Sequence, residues 1–183
     1  MASRFLTVLA GASAALAVST SIAAAADSGN DIVARVQKTL ATCFDQVETC
    51  KEFGQEASGI LVFPNLTKAA VGVGGEYGEG ALVIDGKPVA FYRTSAASIG
   101  LQLGAEQKSQ VIMFLTDEAL QEFQNSEGWE VGGNAAVTVI DTTKSGAMDA
   151  NSMADPVVGY IFGAKGLMAD LSFEGQKISK MDP

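Results

Sequence analysis

Glycines set two apart inside β-patterned stretches constrain this chain most: Gly72-Val-Gly74, Gly78-Glu-Gly80 and, at a wider interval, Gly100-Leu-Gln-Leu-Gly104. A glycine within a strand has no side chain to pack and loses more backbone freedom than any other residue. It persists where two backbones approach closely or a strand must bend. Its repeated use predicts a strongly bent antiparallel sheet or barrel, with the glycines serving tight packing rather than a ligand.

The flanking segments agree. Gly59-Ile-Leu-Val-Phe63 is a short apolar run that Pro64-Asn65 is expected to stop, a buried strand followed by a turn. Residues 69 to 84 mix β-branched residues with glycine-rich clusters, Asp85-Gly86-Lys87-Pro88 reads as a turn, and Val89 to Thr94 and Ser98 to Ala105 read as alternating strands. Val111 to Leu115 is a further buried strand. Thr116 caps an expected helix from Asp117 to Asn125, with two acids in its first turn. Glu130 to Ile140 returns to strand, Asp141 to Pro156 is a polar loop, and three closing strands follow at Val157–Phe162, Leu167–Phe173 and Gln176–Lys180.

Ahead of the sheet, Ile32, Val36, Leu40, Cys43 and Val47 recur every three or four residues, with Val33 and Phe44 widening the stripe. This is an amphipathic helix starting near Asp31, with Ser28 or Asn30 as cap. A second short helix spans Thr49 to Ala57 and buries Phe53. The expected class is α+β: N-terminal helices followed by a strongly bent, glycine-rich antiparallel sheet or barrel with one inserted helix.

The first residues have a different logic. Arg4 is followed by an uncharged run rich in Ala, Leu and Val, then by a small-residue stretch ending in alanines. That is the layout of a secretory signal cleaved after Ala26, and no cysteine stands there to accept a lipid. The expected organisation is a signal peptide over 1–26 and a single domain over 27–183, periplasmic or secreted. Removing Arg4 takes the formal net charge from −9 to −10. So acidic a surface argues against a nucleic-acid partner.

Export also bears on Cys43 and Cys50, the chain's two cysteines. An oxidising compartment favours a disulfide. On one continuous helix, seven residues span about 10.5 Å of rise, too far for the bond. A Cys43–Cys50 disulfide therefore requires the helix to break between them, with Thr49 as a candidate cap; the alternative is two buried thiols.

Catalytic chemistry finds little support. The absence of histidine removes Ser-His-Asp and Cys-His catalysis and every His-ligated metal site. The glycine cluster around Gly72–Gly80 fails the dinucleotide spacing, because the required third glycine is Tyr77. Glu76 and Glu79 resemble a carboxylate pair, but three residues apart on a strand they face opposite ways. No enzymatic activity and no cofactor are expected. Gln102, between glycines on one sheet face, either hydrogen-bonds within a tight core or lines a pocket. Arg93 alternates with Val89 and Phe91 and is the other candidate polar group near the core or a pocket. Trp129 suits either core packing or a membrane interface.

Several stretches together resemble the SYLF family. They are Gly59-Ile-Leu-Val-Phe-Pro-Asn-Leu-Thr-Lys-Ala-Ala-Val-Gly-Val-Gly-Gly-Glu-Tyr-Gly-Glu-Gly80, Ser98-Ile-Gly-Leu-Gln-Leu-Gly-Ala105, Val111-Ile-Met-Phe-Leu-Thr116, Gly128-Trp-Glu-Val-Gly-Gly133, Val158-Gly-Tyr-Ile-Phe-Gly163 and Gly166-Leu-Met-Ala-Asp-Leu-Ser-Phe-Glu-Gly175. The resemblance implies a lipid-binding domain, phosphoinositide-binding in eukaryotic members and also actin-binding in yeast ones. It implies contact with a lipid or membrane surface through the N-terminal helical region. Here that region offers Arg35, Lys38, Phe44, Lys51 and Phe53, interspersed with acids. Export would separate such a domain from actin. The resulting expectation is a non-enzymatic lipid-binding domain of the cell envelope, or a structural or protein-interaction module there without a lipid ligand.

Overall fold

A computed structural model describes residues 28–71, 73–99, 104–133, 136–140, 155–163, 166–167, 173 and 175–183. The expected leader and Gln102 lie outside the described residues.

Helix α1 (Gly29–Gln46) starts at Ser28, whose hydroxyl oxygen accepts from the Asp31 backbone N–H and donates to the Asp31 carboxylate at 2.7 Å. It ends at Val47, which is extended, and α2 (Glu48–Glu56) begins at once. This break brings the Cα atoms of Cys43 and Cys50 to 5.9 Å, and the disulfide is formed. The break falls at Val47, between the two cysteines as the bond requires, and Thr49 is not its cap. Thr49 is inside α2, where its hydroxyl accepts from Tyr160 at 3.2 Å. No side chain caps α2; the cystine and the buried Val47 hold its start.

The strands are β1 (Gly59–Val71), β2 (Val73–Ile84), β3 (Lys87–Ile99), β4 (Gly104–Phe114), β5 (Trp129–Glu130), β6 (Thr138–Val139), β7 (Val157–Gly163), β8 (Gly166–Leu167) and β9 (Lys177–Met181). Helix α3 (Asp117–Asn125) lies between β4 and β5, and Thr116 accepts from the Ala119 N–H as its cap. The strands form one strongly curled sheet in the order β5-β9-β3-β2-β1-β4-β7-β6, with β8 beside β7. Asp85 and Gly86 make the β2–β3 hairpin, both at positive φ as a two-residue turn of the I′ kind requires.

Three expectations are corrected. Pro64-Asn65 does not end a strand: β1 runs through it as a bulge, shifting register against β2 and β4. Proline lacks the N–H that a ladder needs, and a bulge is where a sheet tolerates that loss. The sheet is not wholly antiparallel, because β6 pairs in parallel with β7. Among the described residues between Glu130 and Ile140, strand is confined to the end of β5 and to β6, each two residues long.

The bulge explains two of the glycines. A Cβ on Gly78 would stand 2.7 Å from the Asn65 carbonyl oxygen, and one on Gly80 would run into the Val62 carbonyl and the Phe63 ring. Here the glycines do serve close backbone approach.

Helices pack on both faces of the sheet. On one, Ile32, Val36, Cys43, Cys50 and Phe53 pack over Ile60, Val62, Ala81, Val111, Met113 and Tyr160. On the other, Leu120 and Phe123 of α3, with Trp129 and Phe173, pack over Leu61, Leu82, Ile112 and Phe114. Neighbouring residues of β1 and β4 are therefore both buried, and their runs read as continuous rather than alternating. Trp129 is 3 % exposed and edge-on to Phe123 at 5.4 Å, so it is a packing residue.

Candidate functional site

A groove of about 730 Å³ lies on the α1 side of the sheet. Arg35, Lys38, Thr39, Thr42 and Gln46 form its upper wall. Their spacing places them along one side of α1, beside the stripe that packs on the sheet. The lower wall is Pro64 and Asn65 of the bulge, Ser109 of β4, and Phe162 and Gly163 of β7. The Ser109 hydroxyl donates to the Pro64 carbonyl at 2.6 Å and pins the bulge to β4. A smaller concavity of about 190 Å³ continues the groove toward Gln107 and Lys108.

The groove is chemically one-sided. Its described lining holds a guanidinium, an ammonium, three hydroxyls and two carboxamides, and no carboxylate. Such a set suits a ligand carrying oxyanion and hydroxyl groups. The positive pair is local, because the chain as a whole is strongly acidic.

Of the residues expected to contact lipid, the fold brings Arg35 and Lys38 together here. Lys51 is exposed on α2, outside the groove. Phe53 is corrected: at 2 % exposure it is core, and α2 uses it to seal the sheet. Phe44 is half-buried over Gly54, where a Cβ would stand 2.5 Å from its ring. Cys43 and Cys50 are buried and bonded. Arg93 is exposed on β3, opposite Glu79 of β2. Asn65 and Ser109 escaped the sequence reading. Asn65 passed for a turn residue, and nothing in sequence placed α1 above it.

The opposite sheet face carries a second polar constellation. Glu76, Thr94, Lys108, Gln110 and Gln176 are buried there. Lys108 Nζ lies 2.8 Å from Glu76 Oε2, and Gln176 Nε2 donates to Glu76 Oε1 at 3.1 Å. Glu79 points the other way and accepts from the Tyr77 hydroxyl at 2.7 Å. Glu76 and Glu79 therefore do not converge on one cleft. Partial burial and the Glu79 carboxylate push the Tyr77 phenol up to about 12.

Among the described residues, no three or more acids or cysteines gather as a metal site, and no helix is long and apolar enough to cross a membrane. No curated protein matches the chain. A family model described as Ysc84, Las17-binding protein actin regulator, matches residues 95–182. This match covers α3 and the strands from the second half of β3 onward, and over residues 95–182 the chain is similar to the Ysc84 (SYLF) domain family.

Proposed function

We propose that this is an exported, non-enzymatic binding domain that docks on anionic lipid headgroups of the cell envelope through the groove between α1 and the β1 bulge. The observation that carries the reading is the convergence of Arg35 and Lys38 with Asn65 and three hydroxyl side chains in a groove with no described carboxylate. A headgroup phosphate would accept from the two cations, and its neighbouring hydroxyls from Thr39, Thr42 and Asn65. Two cations on an acidic protein give a salt-sensitive contact. Flotation with phosphatidylglycerol vesicles at low salt tests this: the wild-type chain should rise with the vesicles, and Arg35→Glu/Lys38→Glu should stay behind. Failure of the wild type to float with any headgroup removes the proposal.

A second reading rests on the family's description, which names a protein partner, and on one surface. Tyr77 is 48 % exposed, with Glu79 and Arg93 in register beside it on an uncovered part of the sheet. An exposed aromatic beside a cation and an anion is the composition of a protein-docking centre. Recovery of a protein partner from delipidated envelope extract, lost in Tyr77→Ala, favours this reading over the first.

A further inference from the structure

The buried polar constellation on the α3 side of the sheet satisfies only part of its own hydrogen-bonding capacity. Glu76 uses both carboxylate oxygens, one on Lys108 and one on Gln176. Four other atoms have no hydrogen-bond partner among the described residues: Oε1 and Nε2 of Gln110, Oε1 of Gln176 and Oγ1 of Thr94. Gln110, Thr94 and Gln176 are 0, 1 and 2 % exposed, so bulk solvent does not serve them. The sheet register explains why their neighbours do not either. Gln110 stands between Phe63 of β1 and Ile161 of β7, and Thr94 between Gly78 of β2 and Ile178 of β9. None of those four side chains carries a polar atom.

We propose that this face binds ordered water inside the fold, held by Thr94 and Gln176 on the β3–β9 side and by Gln110 and Lys108 on β4. The unmet set contains both kinds of group. Gln110 offers a donor and an acceptor, Gln176 an acceptor, and the Thr94 hydroxyl can act as either. Lys108 has Glu76 as its partner, and an ammonium carries three donors. A bound molecule must therefore both donate and accept. It needs no charge, because Glu76 and Lys108 already balance each other. It must also be small, because the groups that would hold it are enclosed. Water meets all three conditions, and buried waters make about three bonds each to polar groups that the protein leaves unsatisfied. Water on the remaining Lys108 donors also favours the charged form of a buried pair, which needs more than its counterion. The inference concerns the face opposite the α1 groove and does not rest on the function proposed for that groove.

Two measurements on the full chain test this. Oxygen-17 relaxation dispersion of the water signal counts waters held for long times inside a protein. The wild-type chain should show such a dispersion, and its amplitude should fall in Thr94→Val and in Gln110→Leu. Urea unfolding gives an independent sign. Losing a hydroxyl bonded to water lowers the unfolding midpoint, by roughly 0.5 M for Thr94→Val, whereas losing a buried hydroxyl with no partner raises it. Thr94→Val keeps the shape of the side chain, so it remains informative even if Gln110→Leu does not fold. An unchanged dispersion amplitude in a folded variant, or a raised midpoint in Thr94→Val, overturns the proposal. So does a crystal structure with an organic molecule, rather than water, bonded to these groups.

Discussion

Lys108 and Glu76 meet at 2.8 Å although β1 lies between their strands. Their side chains close over β1, as the sheet's curl brings residues of non-adjacent strands together. Gln176, just before β9, adds a bond to the same carboxylate from beyond β3. One short chain of polar contacts thus ties strands from β9 to β4 across a single face.

That tie has a testable asymmetry. Each partner is 8 % exposed, so removing one leaves a buried charge without its counterion. Lys108→Ala should cost about 3–5 kcal/mol in urea unfolding, whereas Lys108→Met with Glu76→Leu should recover most of that loss.

The glycines opposite the bulge should behave unlike the hairpin glycine. Gly80→Ala forces a methyl into the Val62 carbonyl, and the protein should fail to reach a native urea transition. Gly86 has open space but sits at φ 72°, so Gly86→Ala should cost about 1 kcal/mol, the penalty of left-handed backbone alone.

The Cys43–Cys50 cystine closes a short loop at the junction of α1 and α2. A loop of this length is worth about 2–3 kcal/mol through the unfolded state. Thermal melts with and without reductant should differ accordingly, and a Cys43→Ala/Cys50→Ala variant should melt like the reduced protein.

All three tyrosines of the chain are pushed above their ordinary value of 10.0 by burial, Tyr77 and Tyr160 to about 12. The folded state therefore holds these protons more tightly than the unfolded state. Their contribution to stability is complete below pH 10 and is lost as pH rises from there through about 12. Tyrosinate absorbance should remain low in native protein at pH 10, where urea-unfolded protein is half ionised.

Local chemistry was the most legible part of the sequence. Ser28, Thr116 and Asp85-Gly86 act where their side-chain or backbone preferences place them, and the spacing of Cys43 and Cys50 required the helix break that Val47 supplies. Pro64-Asn65 misled because turns and bulges use the same residues; only pairing on both sides of β1 distinguishes them. Helical spacing correctly put Phe53 inside, while its assignment to lipid contact came from the resemblance and conflicted with that spacing. The groove was not legible, since it arises when α1 settles above the bulge and sets Lys38 near Asn65 and Ser109.

The most direct test of the groove is an amide NMR titration of the full chain with glycerol phosphate, a soluble phosphate headgroup. Saturable shifts should cluster at Arg35, Lys38, Thr42, Asn65 and Ser109 and be abolished by Arg35→Glu/Lys38→Glu. Shifts centred elsewhere, or an unchanged titration in that variant, would contradict it.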